Sequence, residues 1–191
     1  MERFLKQLPL LILLATCLLA GIALYADNPI DAVPGETESE SAANYRFTLP
    51  DLKGEIQDSE QWQGKLLIVN FWASWCAPCL EEMPRFITLQ TAYADRGIQF
   101  VGIGIDQPEA LAKVVDRLGV NYPVLQGDFD AMQVAKQFGN EYGVLPYTSI
   151  LDPEGELFIT IAGAVREGEM EQLIKKFLQS AAAKPSDSSS I

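Results

Sequence analysis

Two cysteines, Cys76 and Cys79, stand between a run of residues typical of a buried strand and a run typical of a helix. The first run, KLLIVNFW at residues 65–72, is continuously apolar and contains β-branched residues, the pattern of a strand buried on both faces of a sheet. After the cysteines, apolar residues recur at helical spacing as far as Gly97, with Pro84 inside the pattern. We expect Pro84 to bend or locally break this helix. The sequence therefore predicts that both cysteines lie at a strand-to-helix turn.

This turn gives the two thiols different properties. Cys76 falls at or just before the first helical turn, where free backbone N–H groups and the helix dipole stabilise a thiolate and lower its pKa. Pro78 suits the first turn because the N–H it lacks would have no partner there. Cys79 lies one turn deeper, as expected of a more buried thiol that resolves a mixed disulfide. At this spacing the two Cα atoms are about 5–6 Å apart, within reach of a disulfide.

Other uses of a cysteine pair fit the sequence less well. A zinc site needs a second pair or histidines, but the chain has no histidine, and Cys17 lies in an apolar segment where it reads as a membrane-helix residue. Attachment of a c-type haem needs a histidine where Leu80 stands. A peroxiredoxin site would carry Pro and Thr shortly before a single cysteine, whereas residues 73–75 are Ala-Ser-Trp. A structural disulfide stays open, although closing a two-residue loop removes little chain entropy.

Strands and helices alternate along the rest of the folded region. We predict a hairpin, then β-α-β-α-β-α, then β-β-α, built from YRFTLPDLKGEIQ, KLLIVNFW with the cysteine helix, IQFVGIGID, PEALAKVVDRLG, YPVLQG, DAMQVAKQFG, LPYTSILD, ELFITIAG and REGEMEQLIKKFLQS. This order predicts an α/β fold, with a mixed sheet, parallel βαβ crossovers and helices on both faces.

The N-terminal segment, residues 1–26, is predicted to be a signal anchor or a signal peptide. Arg3 and Lys6 precede the charge-free run LPLLILLATCLLAGIALY, whose length favours an uncleaved anchor with everything after it outside the cytoplasm. Cleavage after Ala23 or Ala26 remains the alternative.

Composition divides the remainder of the chain into three parts. Residues 27–43 are predicted to form a flexible acidic linker, residues 44–180 the folded domain, and residues 181–191 a disordered tail. The formal net charge of −12 argues against nucleic acid as a partner, because phosphates require Lys and Arg to neutralise them.

The folded region resembles the thioredoxin-like proteins, and within them the membrane-anchored TlpA/ResA-type thiol–disulfide oxidoreductases. The resemblance rests on VNFWASWCAPCLEEMP, IQFVGIGID and YGVLPYTSILDPEGEL. It implies a thioredoxin-like three-layer α/β/α sandwich with an N-terminal β-hairpin and a central α/β insertion near residues 108–126. The family often has two more residues between YGV and the following proline, and often a threonine where Tyr147 stands.

The resemblance implies roles for residues around the cysteines. Cys76 and Cys79 match the active-site pair, and Trp75 matches the preceding tryptophan, which would cover the sulfurs and shape the docking surface. Glu82 matches the family's acid three residues after the second cysteine, on the same helix face. There a carboxyl group could take or hold a proton while the thiol ionises, or its charge could disfavour a thiolate.

A second part of the implied site lies far along the chain. Pro146 matches the cis-proline that faces the cysteines from a neighbouring strand. Leu145, directly before it, would offer its backbone N–H and C=O to an extended segment of a substrate.

These features predict an extracytoplasmic thiol–disulfide oxidoreductase that reduces disulfides in exported cysteine-containing proteins, with apocytochrome c among the substrates that the resemblance suggests. Its redox group would be the Cys76–Cys79 disulfide, with no separate cofactor and no metal. A membrane thiol donor would supply electrons, and residues 1–26 would make it a single-pass inner-membrane protein with its domain in the periplasm. The alternatives are a disulfide-forming oxidant and a thioredoxin-like binding module with a structural disulfide.

Overall fold

The computed structural model describes residues 45–183. The predicted signal segment and acidic linker, and the tail beyond Ala183, lie outside the described residues. Within residues 45–183, no helix is both long enough and apolar enough to cross a bilayer.

The order of helices and strands agrees with the predicted order. The elements are β1 (Thr48–Pro50), β2 (Ile56–Asp58), β3 (Leu66–Trp72), α1 (Ala77–Tyr93), β4 (Ile98–Gly104), α2 (Pro108–Leu118), β5 (Val124–Gln126), α3 (Phe129–Gln137), β6 (Tyr147–Leu151), β7 (Leu157–Ala162) and α4 (Glu169–Ala183). Single 3₁₀ turns lie at Ser59–Trp62 and Ala94–Arg96.

The central sheet has five strands in the order β5-β4-β3-β6-β7. β3, β4 and β5 are parallel, while β6 and β7 are antiparallel to their neighbours. β3 lies in the middle, and all seven of its residues are buried, as its continuous apolar run predicts. β1 and β2 form a separate antiparallel hairpin, joined to β5 by an isolated bridge between Asp51 and Leu125.

The side chains of β3 alternate between two apolar layers, one on each face of the sheet. One layer contains Leu66, Ile68 and Trp72 from β3 together with residues of α1, α2 and α4. The other contains Leu67, Val69 and Phe71 together with residues of α3 and the N-terminal hairpin. Helices therefore cover both faces, which confirms the predicted three-layer α/β/α fold.

Two helices differ from the predictions in detail. α1 continues through Pro84 without the interruption that we predicted as one outcome. Pro84 lies on the exposed side of the helix, where water can satisfy the carbonyl group that proline leaves without a donor. α4 runs to Ala183, three residues beyond the predicted end of the domain.

Candidate active site

The two cysteines form a disulfide at the N-terminus of α1. The Cys76–Cys79 S–S distance is 2.05 Å and the Cα–Cα distance is 5.3 Å, inside the range expected from the spacing. Cys76 is the N-cap residue and Ala77 is the first helical residue. The structure thus brings together the two thiols at the strand-to-helix turn where the sequence places them.

The start of α1 offers a free donor to a Cys76 thiolate. An N-cap side chain can accept from the backbone N–H of the second or third helical residue, and the side chain of Cys76 makes no such bond in its disulfide form. The second position is Pro78, which has no N–H, so the N–H of Cys79 is the donor available to a thiolate at Cys76. The helix dipole adds to this stabilisation.

The two sulfur-bearing residues differ in exposure. Cys79 has no exposed surface, whereas Cys76 keeps 6% of its surface exposed. Of the two residues, Cys76 at the N-cap is therefore the one with some surface that another molecule can contact.

Glu82 is buried completely, one turn of α1 beyond Cys79. Its Oε1 accepts a hydrogen bond from Asn70 Nδ2 at 2.9 Å, and its Oε2 accepts one from the backbone N–H of Val165 at 2.9 Å. Burial raises the pKa of Glu82 above its usual value, although these two hydrogen bonds and the nearby Arg85 oppose the shift. Of the two adjacent acids, Glu81 is exposed, whereas Glu82 is buried on the side of α1 that also buries Cys79.

Three partners of Glu82 were not predicted from the sequence. Asn70 also donates to Thr148 Oγ1 at 3.0 Å, which links Glu82 to β6. Arg85 Nη2 donates to the carbonyl oxygen of Val165 at 3.0 Å. The N–H and the C=O of Val165 therefore both bind side chains of α1. Asn70 could have been found, because it is the single polar residue in the run LLIVNFW at residues 66–72. Val165 could not, because it contributes only its main chain.

Pro146 follows a cis peptide bond, as the resemblance implies. β6 begins at the next residue, Tyr147, which pairs with Phe71 near the end of β3. Continuing this antiparallel register by one residue places Pro146 beside Trp72, at the edge of the sheet from which the cysteine turn departs. Pro146 is buried and its carbonyl oxygen accepts from the N–H of Gly163 at 2.9 Å.

The segment before Pro146 presents main-chain groups and apolar side chains. Leu145 is half-buried, and within residues 45–183 neither its N–H nor its C=O makes a hydrogen bond. Val144 and Tyr142 are exposed, with 40% and 93% of their surfaces accessible. These groups remain available to an extended segment of another chain.

The two tryptophans near the cysteines have different environments. Trp72 is fully buried in the layer that also contains both cysteines, so it is a packing residue. Trp75 is 71% exposed, which fits the predicted docking surface better than a packed cover over the sulfurs.

A hydrogen-bonded carboxylate holds the turn before the cysteines. Asp106, just after β4, accepts from the hydroxyl group of Ser74 and from its backbone N–H, the latter at 3.3 Å. Burial acts to raise the pKa of Asp106, but the hydrogen bonds from Ser74 and from the N–H of Gln107 outweigh it and lower the pKa below its usual value. The charged carboxylate thus ties the cysteine turn to the end of β4.

Tyr147 stands where the resembling family often has threonine. Its side chain is buried in the layer of α3 and the hairpin, and its hydroxyl group donates to the carbonyl oxygen of Phe138 at 3.0 Å. This departure therefore affects packing on the face of the sheet opposite the cysteines.

Comparisons with known proteins agree with this geometry. The AhpC/TSA family model matches residues 41–158. The chain is 28% identical over 181 residues to the thiol–disulfide oxidoreductase ResA of Halalkalibacterium halodurans, covering 93% of this chain and 94% of that protein. It is 31% identical over 127 residues to ResA of Geobacillus kaustophilus, covering 66% of this chain and 71% of that protein.

Solved structures of similar proteins have the same fold. A thiol:disulfide interchange protein of the thioredoxin family from Chlorobium tepidum is 28% identical, with a TM-score of 0.62 over 70% of this chain and 93% of that chain. A disulfide oxidoreductase secreted by Mycobacterium tuberculosis is 20% identical, with a TM-score of 0.60, and supports the fold alone. This chain belongs to the AhpC/TSA family, has the thioredoxin-like fold and is a thiol–disulfide oxidoreductase of the ResA type.

Proposed function

We propose that this enzyme reduces disulfides in exported proteins through its Cys-Ala-Pro-Cys site, from a domain held outside the cytoplasm. The observation that carries the proposal is the Cys76–Cys79 disulfide at the start of α1, with Cys76 exposed in part and Cys79 fully buried one turn from the buried Glu82. A disulfide that only stabilised the fold would not require a buried carboxylic acid beside it.

The reaction transfers two electrons from the enzyme dithiol to the substrate. The Cys76 thiolate attacks a substrate disulfide, so that a Cys76–substrate S–S bond forms and the first substrate sulfur leaves as a thiolate that takes up a proton. Cys79 then loses its proton and attacks the Cys76 sulfur. The Cys76–Cys79 bond forms, the second substrate sulfur leaves as a thiolate that takes up a proton, and the enzyme ends in its disulfide form.

Glu82 has the position of a proton acceptor for Cys79. The two residues lie three apart on α1 and both are fully buried, so no bulk water contacts the Cys79 thiol as it ionises. Burial raises the pKa of Glu82, which makes its carboxylate a stronger proton acceptor than an exposed one, and the proton can be returned in the next cycle.

The substrate would bind along the edge formed by Trp75, Leu145 and Pro146. The N–H and C=O groups of Leu145 have no hydrogen-bond partner within residues 45–183, so they suit an extended segment that adds to the sheet edge, as in other β-augmentation modes. The exposed indole of Trp75 would pack on that segment beside its disulfide.

The electrons would come from a membrane thiol donor, since the extracytoplasmic side is oxidising. The resemblance to the TlpA/ResA group suggests apocytochrome c and other exported cysteine-containing proteins as substrates. The enzyme would then take part in cytochrome c maturation. The N-terminal segment would anchor the enzyme in the inner membrane with its domain in the periplasm.

The reduction potential of the Cys76–Cys79 pair separates this proposal from its two alternatives. We expect a reduction potential closer to that of thioredoxin, about −270 mV, than to that of a strong disulfide-forming oxidant, about −120 mV. Equilibration with glutathione and dithiothreitol buffers, read by thiol alkylation, gives the value. A potential in the oxidant range would favour the first alternative, and a disulfide that fails to cycle would favour the structural one.

Glu82→Gln should move the pH profile of disulfide exchange to lower pH. Above the pKa of Glu82 its charge disfavours a neighbouring thiolate, and glutamine removes the charge while keeping the shape. The Cys79 thiolate then forms at lower pH, so the rising limb of the rate profile moves in that direction. Thiolate absorbance and exchange rate against pH are the measurements, and the fitted values belong to the coupled cysteine–carboxyl system.

Glu81→Gln is the matched control for this experiment. Glu81 is the exposed neighbour on the same helix, where its charge is screened by water and salt. If Glu82→Gln moves the profile no further than Glu81→Gln does, the proposed role of Glu82 is wrong.

The full-length protein should remain in the membrane fraction, with its domain accessible from outside. The charge-free run from Leu8 to Tyr25 is longer than a typical cleaved signal segment, and Arg3 and Lys6 keep its N-terminus inside. Protease added to intact spheroplasts should release the domain and leave residues 1–26 in the membrane. A soluble mature protein that begins near residue 24 or 27 would contradict the anchor.

A further inference from the structure

We propose that Asn70 is a positioning residue whose side-chain amide turns over when Glu82 takes up a proton. The inference rests on the proposed role of Glu82 in exchanging a proton with the thiols, and extends it to the strand that follows Pro146. It is carried by the hydrogen-bond geometry around one buried carboxyl group.

Both contacts to the Glu82 carboxylate come from hydrogen-bond donors. Asn70 Nδ2 lies 2.9 Å from Oε1, and the backbone nitrogen of Val165 lies 2.9 Å from Oε2. All three residues are buried, so they are shielded from bulk water. This arrangement satisfies a charged carboxylate and leaves a protonated carboxyl group without an acceptor for its O–H.

Only one of the two donors can become an acceptor. The N–H of Val165 belongs to a main chain whose next carbonyl oxygen is held by Arg85, so this segment is fixed on both sides. The Asn70 side chain can rotate by half a turn about its Cβ–Cγ bond, which exchanges Nδ2 and Oδ1 without moving the main chain. Asn70 Oδ1 is buried and has no partner within residues 45–183, so the rotation breaks no bond on that side.

Thr148 allows the whole network to reverse. Its hydroxyl group accepts from Asn70 Nδ2 at 3.0 Å in the structure, but a hydroxyl group can equally donate. With Glu82 charged, Asn70 donates to both Glu82 and Thr148. With Glu82 protonated and the amide turned, Asn70 Oδ1 accepts from both, and two hydrogen bonds are kept in each state.

The surroundings leave Asn70 as the group that responds to the proton. Among the described residues, the titratable side chains that interact electrostatically with Glu82 are Arg85 on its own helix and Tyr122 from the segment before β5. Burial, and then the charge of Glu82, raise the pKa of Tyr122 far above its usual value, so Tyr122 stays neutral. Arg85 stays charged throughout.

The reversal would carry the protonation state of Glu82 to the substrate-binding edge. Asn70 and Thr148 are direct cross-strand partners of β3 and β6, and Thr148 is two residues from Pro146. When Cys79 gives its proton to Glu82, the hydroxyl group of Thr148 would change from acceptor to donor within β6, the strand that begins directly after Pro146.

The test follows the Asn70 side-chain amide by NMR in the full-length oxidised protein in detergent. Selective ¹⁵N labelling of asparagine gives few signals, because the chain has five asparagines: Asn28, Asn44, Asn70, Asn121 and Asn140. The Asn70 amide pair should shift in a single step at the pH where ¹³C-labelled Glu82 titrates. An Asn70 pair that stays constant while Glu82 titrates would overturn the inference.

Glu82→Gln provides a second, independent readout. The glutamine Nε2 can donate to Asn70 Oδ1 while its Oε1 accepts from Val165, which imitates the protonated carboxyl group. The Asn70 amide pair should then be independent of pH and match the wild type at low pH. A match to the wild type at high pH would overturn the inference, whereas Glu81→Gln should retain the wild-type step.

A substitution of Asn70 itself tests its effect on Glu82. Asn70→Leu removes the donor to the charged form, so the titration of Glu82 should move to higher pH. Gln90→Met is the matched control, since Gln90 is a buried amide on α1 that binds the N–H of Phe100 at 2.7 Å. It should leave the titration of Glu82 in place, and equal shifts in the two variants would contradict a specific role of Asn70.

These measurements test the amide reversal independently of the proposed function. They use the oxidised protein, which has no titrating active-site thiol. If the Asn70 pair follows Glu82 but Glu82→Gln leaves the exchange profile unchanged, the proton role of Glu82 is wrong and the amide reversal stands. If the profile moves but the Asn70 pair does not follow, the reversal alone is wrong.

Discussion

Cys76→Ser and Cys79→Ser should each abolish multiple turnover of a protein disulfide such as that of insulin, and only Cys79→Ser should accumulate a mixed disulfide. The first variant lacks the nucleophile, so exchange falls to the rate without enzyme. The second retains the nucleophile at the partly exposed N-cap position and lacks the buried thiol that releases the substrate. Turnover assays and non-reducing gels with mass spectrometry of the trapped species measure both effects.

Cys17→Ser is the control for this pair of variants. Cys17 is the third cysteine of the chain and lies in the predicted N-terminal membrane segment, away from the Cys76–Cys79 motif. It should turn over at the wild-type rate and trap nothing. Equal trapping by Cys76→Ser and Cys79→Ser would contradict the assignment of nucleophile and resolving thiol. The same Cys79→Ser protein, expressed in cells, would identify the physiological partners.

Much of the site follows from local patterns in the sequence. The continuous apolar run before Cys76 predicts a strand buried on both faces, and β3 is that strand. The three-residue spacing of the cysteines predicts a disulfide at a helix start, where the structure has it. The interpretation of Glu82 rests on the family resemblance together with local geometry, since residues three apart share a helix face. Pro146 came from the family resemblance, since no local pattern distinguishes a cis from a trans proline.

The hydrogen bonds that decide the state of Glu82 could not be predicted in the same way. Val165 is 83 residues from Glu82 and binds it through a backbone N–H, which every residue except proline possesses. The contact between Asn70 and Thr148 depends on the register of β3 with β6. The pattern of apolar side chains determines which face of the sheet each residue lies on, but not which residue it pairs with. The sequence shows Asn70 as a polar residue in an apolar strand. Its hydrogen-bond partners, however, depend on which helix covers the face of the sheet on which Asn70 lies.

The apolar layer on the side of the sheet opposite the cysteines is packed around one aromatic residue. Phe138, at the end of α3, has no exposed surface. Its ring centroid lies 5.2 Å from that of Tyr45, 5.9 Å from that of Phe47 and 5.8 Å from that of Phe71. These contacts join α3, the segment that leads into the hairpin and the central strand. Phe138 therefore holds together parts of the fold that are remote in sequence.

Phe138→Ala should lower the free energy of unfolding by about 3–5 kcal/mol, the range for large-to-small changes of a buried phenylalanine. The ring's removal leaves a cavity among the three aromatic neighbours, which the sheet on one side cannot collapse to fill. Phe129→Ala is the matched control in the same helix, because Phe129 is 68% exposed and its loss should change the free energy by no more than about 0.5 kcal/mol. Urea unfolding followed by tryptophan fluorescence gives both values.

The folded Phe138→Ala protein should retain disulfide exchange, since the cysteines lie in the opposite layer. Equal destabilisation by the two variants would show that α3 is not held by this aromatic cluster.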